Sequence, residues 1–198
     1  MKIDYIKIRD FYEDPYAIRE RALKAEYEEK NVKHYPGADA GTNYNYTKEV
    51  NKISAVLGVP LNNHCIGRFR SSLYSDTGKA LRNIHTDLLS YTTIVSLTLN
   101  DNPHGVVKTA LWKHRETGVA RMDCKEVMDH SINWETIVLE EGRNEDLWEL
   151  DTLVEIKFNE ALIIDGNLFH SPYPDGFGDC LENSRLTQNF FLNRIMNG

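Results

Sequence analysis

The chain has 198 residues, 41% of them hydrophobic and 27% charged, with a formal net charge of -7. That length and mix fit one soluble globular domain spanning 1–198 and exclude a disordered or fibrous chain. The acidic balance, with no cluster of Lys and Arg, argues against nucleic acid as the main partner, and no apolar run approaches the ~20 residues of a membrane span.

The opening "MKIDYIKIRDF" has charges between its apolar residues and does not read as a signal peptide. Cys65, Cys124 and Cys180 are odd in number and widely spaced, which suits neither a disulfide framework nor a zinc knuckle. They read as small buried apolar residues in a reducing cytoplasm. Residues 2–8 alternate as a strand. "DFYEDPYAIRERALKAEYEE" starts a helix capped by Asp14 with Pro15 in its first turn, and Tyr16, Ile18, Ala22 and Ala25 form its apolar face. "HYPGADAGTNYN" is a loop, and "TKEVNKISAVLG" a second helix ended by Gly58 and Pro60. From about residue 65 the period becomes two. "CIGRFRSSLYS", "YTTIVSLTLN" and "VVKTALWKH" read as strands, followed by a turn at "RETG". Residues 122–151 are acidic and read as helical, with Trp134 and Trp148 as anchors. "LVEIKF", "EALIID" and "RLTQNFFLN" close the chain as strands. The expected architecture is α+β and mainly β: a layer of N-terminal helices, then a β-rich body of at least six strands.

The chemistry begins in "IHTDLLSYTTIVSLTLN". Residues i and i+2 of a strand share a face, so His85 and Asp87 project together and Thr86 away. Such a pair can be a hydrogen-bonded couple or two ligands of one metal. His170 in "DGNLFHSPYPDGFG", a Gly- and Pro-rich loop after an apolar strand, is the best third member. Two His and one carboxylate on one side of a metal, with open positions opposite, form the facial triad of non-haem Fe(II) oxygenases. In the last strand Arg185, Thr187 and Asn189 share one face, and Leu186, Phe190 and Leu192 the other. A polar face headed by Arg suits a site that holds a carboxylate, and Thr187 can donate a further hydrogen bond.

The order H-x-D, distant His, then R-x-T resembles the Fe(II)/2-oxoglutarate-dependent dioxygenases. The stretches "DFYEDPYAIRERAL", "HYPG", "LWKHRETG", "ALIIDGNLFHS" and "FGD" are similar to those of a small bacterial and phage branch of that superfamily. One departure is "NDNPHGVVKTALW", which lacks the Gly-Gly-Thr expected in many relatives. The resemblance implies a double-stranded β-helix, or jelly roll, with the N-terminal helices packed on one sheet. It implies Fe(II) held by His85, Asp87 and His170, with 2-oxoglutarate bound through its keto-acid end and its far carboxylate on Arg185 and Thr187. It further implies consumption of O2, release of succinate and CO2, and hydroxylation of a small-molecule or peptide substrate. The metal and co-substrate would supply the hard chemistry, and the protein would orient it.

Other readings stand beside this one. A cupin-like metalloenzyme that does not use 2-oxoglutarate gives Arg185 little purpose, and a non-catalytic ligand-binding jelly roll needs no metal at all. Arg68, Arg70, Ser72 and Tyr74 share a face of "GRFRSSLY" that reads as mainly solvated, with Tyr74 or Arg68 a candidate to turn inward and touch 2-oxoglutarate or substrate; Asn83 has the same standing. His34, His64, His104, His114 and His130 stay outside the constellation, His114 being ambiguous because it ends a strand. "HYPGADAGTNYNY" is either a substrate lid or a packed connection. Nothing in the sequence sets the substrate or an oligomeric state.

Overall fold

The computed structural model describes residues 4–28, 36–41, 45–62, 67–79, 84–87, 89–129, 132–133 and 137–195. In chain order these form β1 (Tyr5–Ile8), α1 (Pro15–Lys24), β2 (Ala38–Ala40), α2 (Thr47–Leu57), β3 (Arg68–Ser72), β4 (Tyr91–Ser96) and β5 (Val107–His114). Then come α3 (Lys125–Met128), β6 (Trp148–Ile156), β7 (Ala161–Asp165), β8 (His170–Tyr173) and β9 (Arg185–Leu192). The strands make a six-stranded sheet in the order β1-β7-β4-β9-β3-β2 and a three-stranded sheet in the order β6-β5-β8, and every pairing is antiparallel. The result is a β-rich, jelly-roll-like fold. Among the described residues no helix is long and apolar enough to cross a membrane.

Strand alternation sorts the core into two layers. Val95, Ala161, Ile163, Leu186, Phe190 and Leu192 leave the large sheet on its outer face and pack with Ala22 of α1 and with Val50 and Ile53 of α2. Ile94, Leu162 and Ile164 point the other way and meet Val107, Leu111, Val154 and Ile156 of the small sheet. Because β7 is covered on both faces, its sequence is a continuous apolar run and not an alternating one. Each fully buried Val, Leu, Ile or Phe side chain among them contributes about 1.5–3 kcal/mol.

Both helices begin where expected and α2 ends where expected, while α1 stops at Lys24, so Ala25 caps it and is not part of its face. The Asp14 carboxylate accepts the Ala17 N–H at 3.0 Å, and Gly58 closes α2 at φ 65°, a left-handed conformation that glycine adopts without strain. The face of α1 differs from the apolar stripe. Tyr16 is 66% exposed, while Arg19 is buried beside Ala22. Its guanidinium donates to the Leu97 and Glu182 carbonyls at 3.2 and 2.7 Å, so the long stem packs while the head is satisfied.

Three other expectations change. Residues 122–151 are not broadly helical. α3 has four residues, a π turn spans Ile137–Glu141, a 3-10 turn spans Glu145–Leu147, and β6 starts at Trp148. The acidic residues of β6 sit on the exposed face of an edge strand, where charge costs nothing and deters pairing with other chains. Trp148 is the anchor expected, 1% exposed with its indole N–H on the Glu141 carbonyl; Trp134 lies outside the described residues. The loop before α2 contains β2, whose three residues owe their strand geometry to pairing with β3. Of the stretch read as a lid or a packed connection, 36–41, Asn45 and Tyr46 are described, and Pro36, Asp39, Ala40 and Tyr46 are buried; the rest lies outside the described residues. Among the cysteines, Cys180 is exposed, Cys124 is half-buried and Cys65 is outside the described residues.

Candidate active site

His85 and Asp87 do not begin β4, which starts at Tyr91. They precede it in an extended segment held by backbone bonds to the segment that leads into β8. The Asp87 N–H donates to the Gly166 carbonyl at 2.9 Å, and His85 forms an isolated antiparallel bridge with His170. His170 is not in a loop either: it opens β8, paired with Leu111 of β5. The i, i+2 logic survives over this short extended stretch, and the bridge carries His170 to the same place. His85 Nε2 lies 3.7 Å from Asp87 Oδ1, and His170 Nε2 lies 3.3 Å from Asp87 Oδ2. One candidate ligand atom from each residue falls within 4.8 Å of the others, a spacing a single cation can bridge.

The surroundings orient these groups. His170 Nδ1 is 2.9 Å from the Leu168 carbonyl, which puts a proton on Nδ1 and turns Nε2 toward Asp87. The Thr92 hydroxyl donates to Asp87 Oδ2 at 2.5 Å. Burial pushes the Asp87 carboxyl up, but the charge and hydrogen bond of His170, the charge of His85 and the Thr92 hydroxyl outweigh it and hold it well below the ordinary carboxylate range. Burial pushes His170 down, yet the Asp87 charge and hydrogen bond, with the Leu168 carbonyl, leave it raised. A charged carboxylate thus stands between two buried imidazoles, the donor set that suits a divalent cation replacing a proton.

The cluster lines one end of a cavity between the sheets. Arg70, Ser72, Thr92, Ile94, Arg185, Asn189 and Phe191 continue its wall. Arg185, Thr187 and Asn189 project inward from β9 while Leu186, Phe190 and Leu192 face the helices, as the alternation predicts. Arg185 is 3% exposed, and its Nη2 donates to the Lys108 carbonyl at 3.3 Å. Burial, then the nearby Arg70 charge, against a weaker pull from Asp175, lowers its pKa to about 10. Arg185 Nε, Thr187 Oγ1 and Asn189 Oδ1 are buried without hydrogen-bond partners, as are Ser96 Oγ, opposite Thr187, and Thr109 Oγ1 on the inward face of β5. Each such atom costs about 1–3 kcal/mol. Five of the eight buried atoms without a partner among the described residues thus share this inner surface, as a polar ligand site would leave them, and a carboxylate would satisfy the guanidinium and hydroxyls together.

Tyr74 is placed elsewhere. β3 ends at Ser72, the Asp76 carboxylate accepts the Leu73 N–H at 2.8 Å, and the resulting 3-10 turn carries Tyr74 to the surface, 76% exposed. Arg70 and Ser72 are the members of that row that line the cavity. Thr92 also escaped notice in the sequence. Its signal was parity, because it falls on the strand face opposite Tyr91, Thr93 and Val95. His114 is buried and structural: its ring nitrogens are 3.0 Å from Thr117 Oγ1 and 2.8 Å from Glu141, and it packs on Trp148. His104 is exposed; His34, His64, His130 and Asn83 lie outside the described residues.

A family model described as "Family of unknown function (DUF6445)" matches residues 3–192. No curated protein matches the chain in sequence. Among solved structures, a Pseudomonas putida prolyl-4-hydroxylase is similar at TM-score 0.52 and 9% identity, covering 98% of this chain and 94% of that one. The non-heme alpha ketoglutarate dependent carbocyclase SnoK from nogalamycin biosynthesis is similar at TM-score 0.51 and 13% identity, covering 96% and 79%. The non-heme alpha ketoglutarate dependent epimerase SnoN from the same biosynthesis is similar at TM-score 0.51 and 8% identity, covering 96% and 78%. At such identities the likeness is one of fold.

Proposed function

The chain belongs to the DUF6445 family of unknown function, and on that premise we propose that it is an Fe(II)- and 2-oxoglutarate-dependent oxygenase built on a double-stranded β-helix. The observation that carries this reading is the buried, carboxylate-free guanidinium of Arg185 in the same cavity as the His85, Asp87 and His170 cluster. A metal site alone would leave Arg185 and its orphaned neighbours unexplained, which disfavours a cupin-like enzyme without 2-oxoglutarate. A ligand-binding jelly roll without metal would leave unexplained why two imidazoles converge on one buried carboxylate.

In this reading His85 Nε2, Asp87 and His170 Nε2 would hold the metal. Thr92 fixes the carboxylate, and the Leu168 carbonyl fixes the His170 tautomer. Arg185, with Thr187, would take the far carboxylate of 2-oxoglutarate. Ile94 and Phe191 give the wall an apolar surface that excludes water beside these groups. When bound, Fe(II) and 2-oxoglutarate supply the oxidising power, with O2 consumed and succinate and CO2 released. The outcome we assign is hydroxylation of a small-molecule or peptide substrate in the cytoplasm. The structural neighbours include a carbocyclase and an epimerase as well as a hydroxylase, so product analysis decides that step.

The test is anaerobic addition of Fe(II) and 2-oxoglutarate to the purified protein. A visible charge-transfer band is expected, lost in His85→Ala and His170→Ala. Stoichiometrically metallated protein that shows no band would sink the reading.

A further inference from the structure

We infer that Asn189 reads the substrate in this cavity, and that the substrate offers it a neutral N–H or O–H donor, an inference that rests on the metal and 2-oxoglutarate reading of the same cavity. Asn189 lines the cavity wall and is 6% exposed. Its Oδ1 is buried and accepts no hydrogen bond. An orphaned acceptor is a standing cost to the folded protein, and a ligand that donates to it removes that cost.

The strand register fixes where this oxygen stands. Arg185, Thr187, Asn189 and Phe191 form the inward row of β9, with Leu186, Phe190 and Leu192 turned to the helices. Against β4, Phe191 is the partner of Thr92 and Asn189 the partner of Ile94. Thr92 holds Asp87, so Asn189 is one step along the row from the metal end, with Arg185 two steps beyond it. The cross-strand neighbours give the oxygen no donor. Ile94 is apolar, and Arg68, the partner of Asn189 on β3, does not donate to it.

The co-substrate has no donor to give. At neutral pH both carboxylates of 2-oxoglutarate and its keto group are acceptors only. They can satisfy Arg185 Nε and the Thr187 hydroxyl, but not an amide oxygen. Turning the amide end for end changes nothing, because its oxygen needs a donor in either orientation. The cavity also sets the charge of that donor. Arg185 stands in the same wall, Arg70 adds a second guanidinium already paired with Asp39, and a metal adds more positive charge. Like charge in such a space disfavours an ammonium. An amide N–H or an alcohol O–H carries no such penalty, and the apolar Ile94 and Phe191 beside Asn189 suit a donor set on an otherwise apolar surface. A site built to bond such a group rejects the analogue that lacks it, which makes the donor testable.

The experiment uses the full chain loaded with Zn(II), which binds but does not turn over, with and without saturating 2-oxoglutarate. Two arms of matched probes are followed by saturation-transfer NMR. One sets primary carboxamides, from acetamide to phenylacetamide, against their N,N-dimethyl amides. The other sets alcohols of the same carbon skeletons against their methyl ethers. We expect at least one donor probe to bind while its methylated partner does not, and the arm in which it lies names the donor. Asn189→Leu, similar in shape without the acceptor, should weaken that probe by about tenfold. Asn189→Asp, which keeps an acceptor oxygen, should hold it within about threefold of the wild type. Asn189→Leu should change the 2-oxoglutarate affinity by less than about twofold, since no bond to the co-substrate is lost, and should melt no lower than the wild type. Methylated probes that bind as well as the donors, no binding by any donor, or a donor affinity unmoved by Asn189→Leu would overturn the inference and leave water as the partner of Asn189. So would an equal loss of 2-oxoglutarate binding in Asn189→Leu, which would make Asn189 a support for the co-substrate. If the wild type fails to bind 2-oxoglutarate at all, the reading of the previous subsection falls, and the comparison of donor with methylated probe on the Zn(II) protein still decides the role of Asn189.

Discussion

The backbones of His85 and His170 are bonded to each other in both directions, the His85 N–H to the His170 carbonyl at 3.0 Å and the His170 N–H to the His85 carbonyl at 2.9 Å. This is a hydrogen-bonded antiparallel pair, and it sets the two rings 4.5 Å apart without help from the side chains. Removing a ring should therefore leave the pairing in place. His85→Ala and His170→Ala are expected to lose divalent-metal binding by more than the ~10–100-fold that loss of a supporting hydrogen bond costs, with the circular dichroism spectrum unchanged. Calorimetric titration with Zn(II) checks this, and wild-type affinity in either variant would remove that histidine from the ligand set.

Thr92 tests the orientation of the carboxylate. Its hydroxyl is 2% exposed as a residue and bonded to Asp87, and valine has the same shape without the donor. Thr92→Val should fold normally and bind metal about 10–100-fold more weakly. Unchanged metal affinity would mean that the backbone bond from Asp87 to Gly166 suffices to place the carboxylate.

Arg185 carries an opposite sign for stability and for binding. A buried charge without a carboxylate is a cost in the ligand-free protein, so Arg185→Met should melt at the same temperature or higher. The wild type should gain about 2.7 kcal/mol at a 2-oxoglutarate concentration 100 times its dissociation constant, and the variant should gain nothing. Thermal denaturation of the Zn(II) protein with and without 2-oxoglutarate reads both effects. A variant that melts lower yet keeps the ligand-induced gain would show that Arg185 is a structural residue.

The sequence showed what local periodicity can show. Alternation in β9 separated Arg185, Thr187 and Asn189 from Leu186 and Phe190, and the structure puts them on opposite faces. Asp14 and Gly58 marked helix ends because caps are local chemistry. What was not legible depends on distant partners. Ala38–Ala40 is a strand because Ser71, Arg70 and Phe69 lie alongside it. His170 opens a strand, despite its Gly and Pro neighbours, because Leu111 pairs with it. Tyr74 and Arg70 share a parity in the sequence, and only the end of β3 at Ser72 decides that one reaches the cavity and the other reaches solvent.

Glu160 offers a pH test remote from the cavity. It is 8% exposed, receives the Lys157 N–H at 3.0 Å and pairs with Lys7 at 2.9 Å. Burial pushes its carboxyl up, but the Lys7 hydrogen bond, the Lys157 N–H and the charges of Lys7 and Arg9 outweigh it, so its pKa falls below the ordinary 4.5. A carboxyl depressed in the folded state contributes stability above its unfolded pKa and loses it as pH falls through the folded one. Lys7 is one-third exposed and screened by solvent, which keeps the contribution to about 1 kcal/mol or less. Urea unfolding should find Glu160→Gln less stable than the wild type at pH 7 and at pH 5.5. The gap should close as the pH falls from above the ordinary value of 4.5 through the depressed folded one, with metal binding at neutral pH unaffected. A gap that stayed constant across that range would show that Glu160 acts through packing and not through its charge.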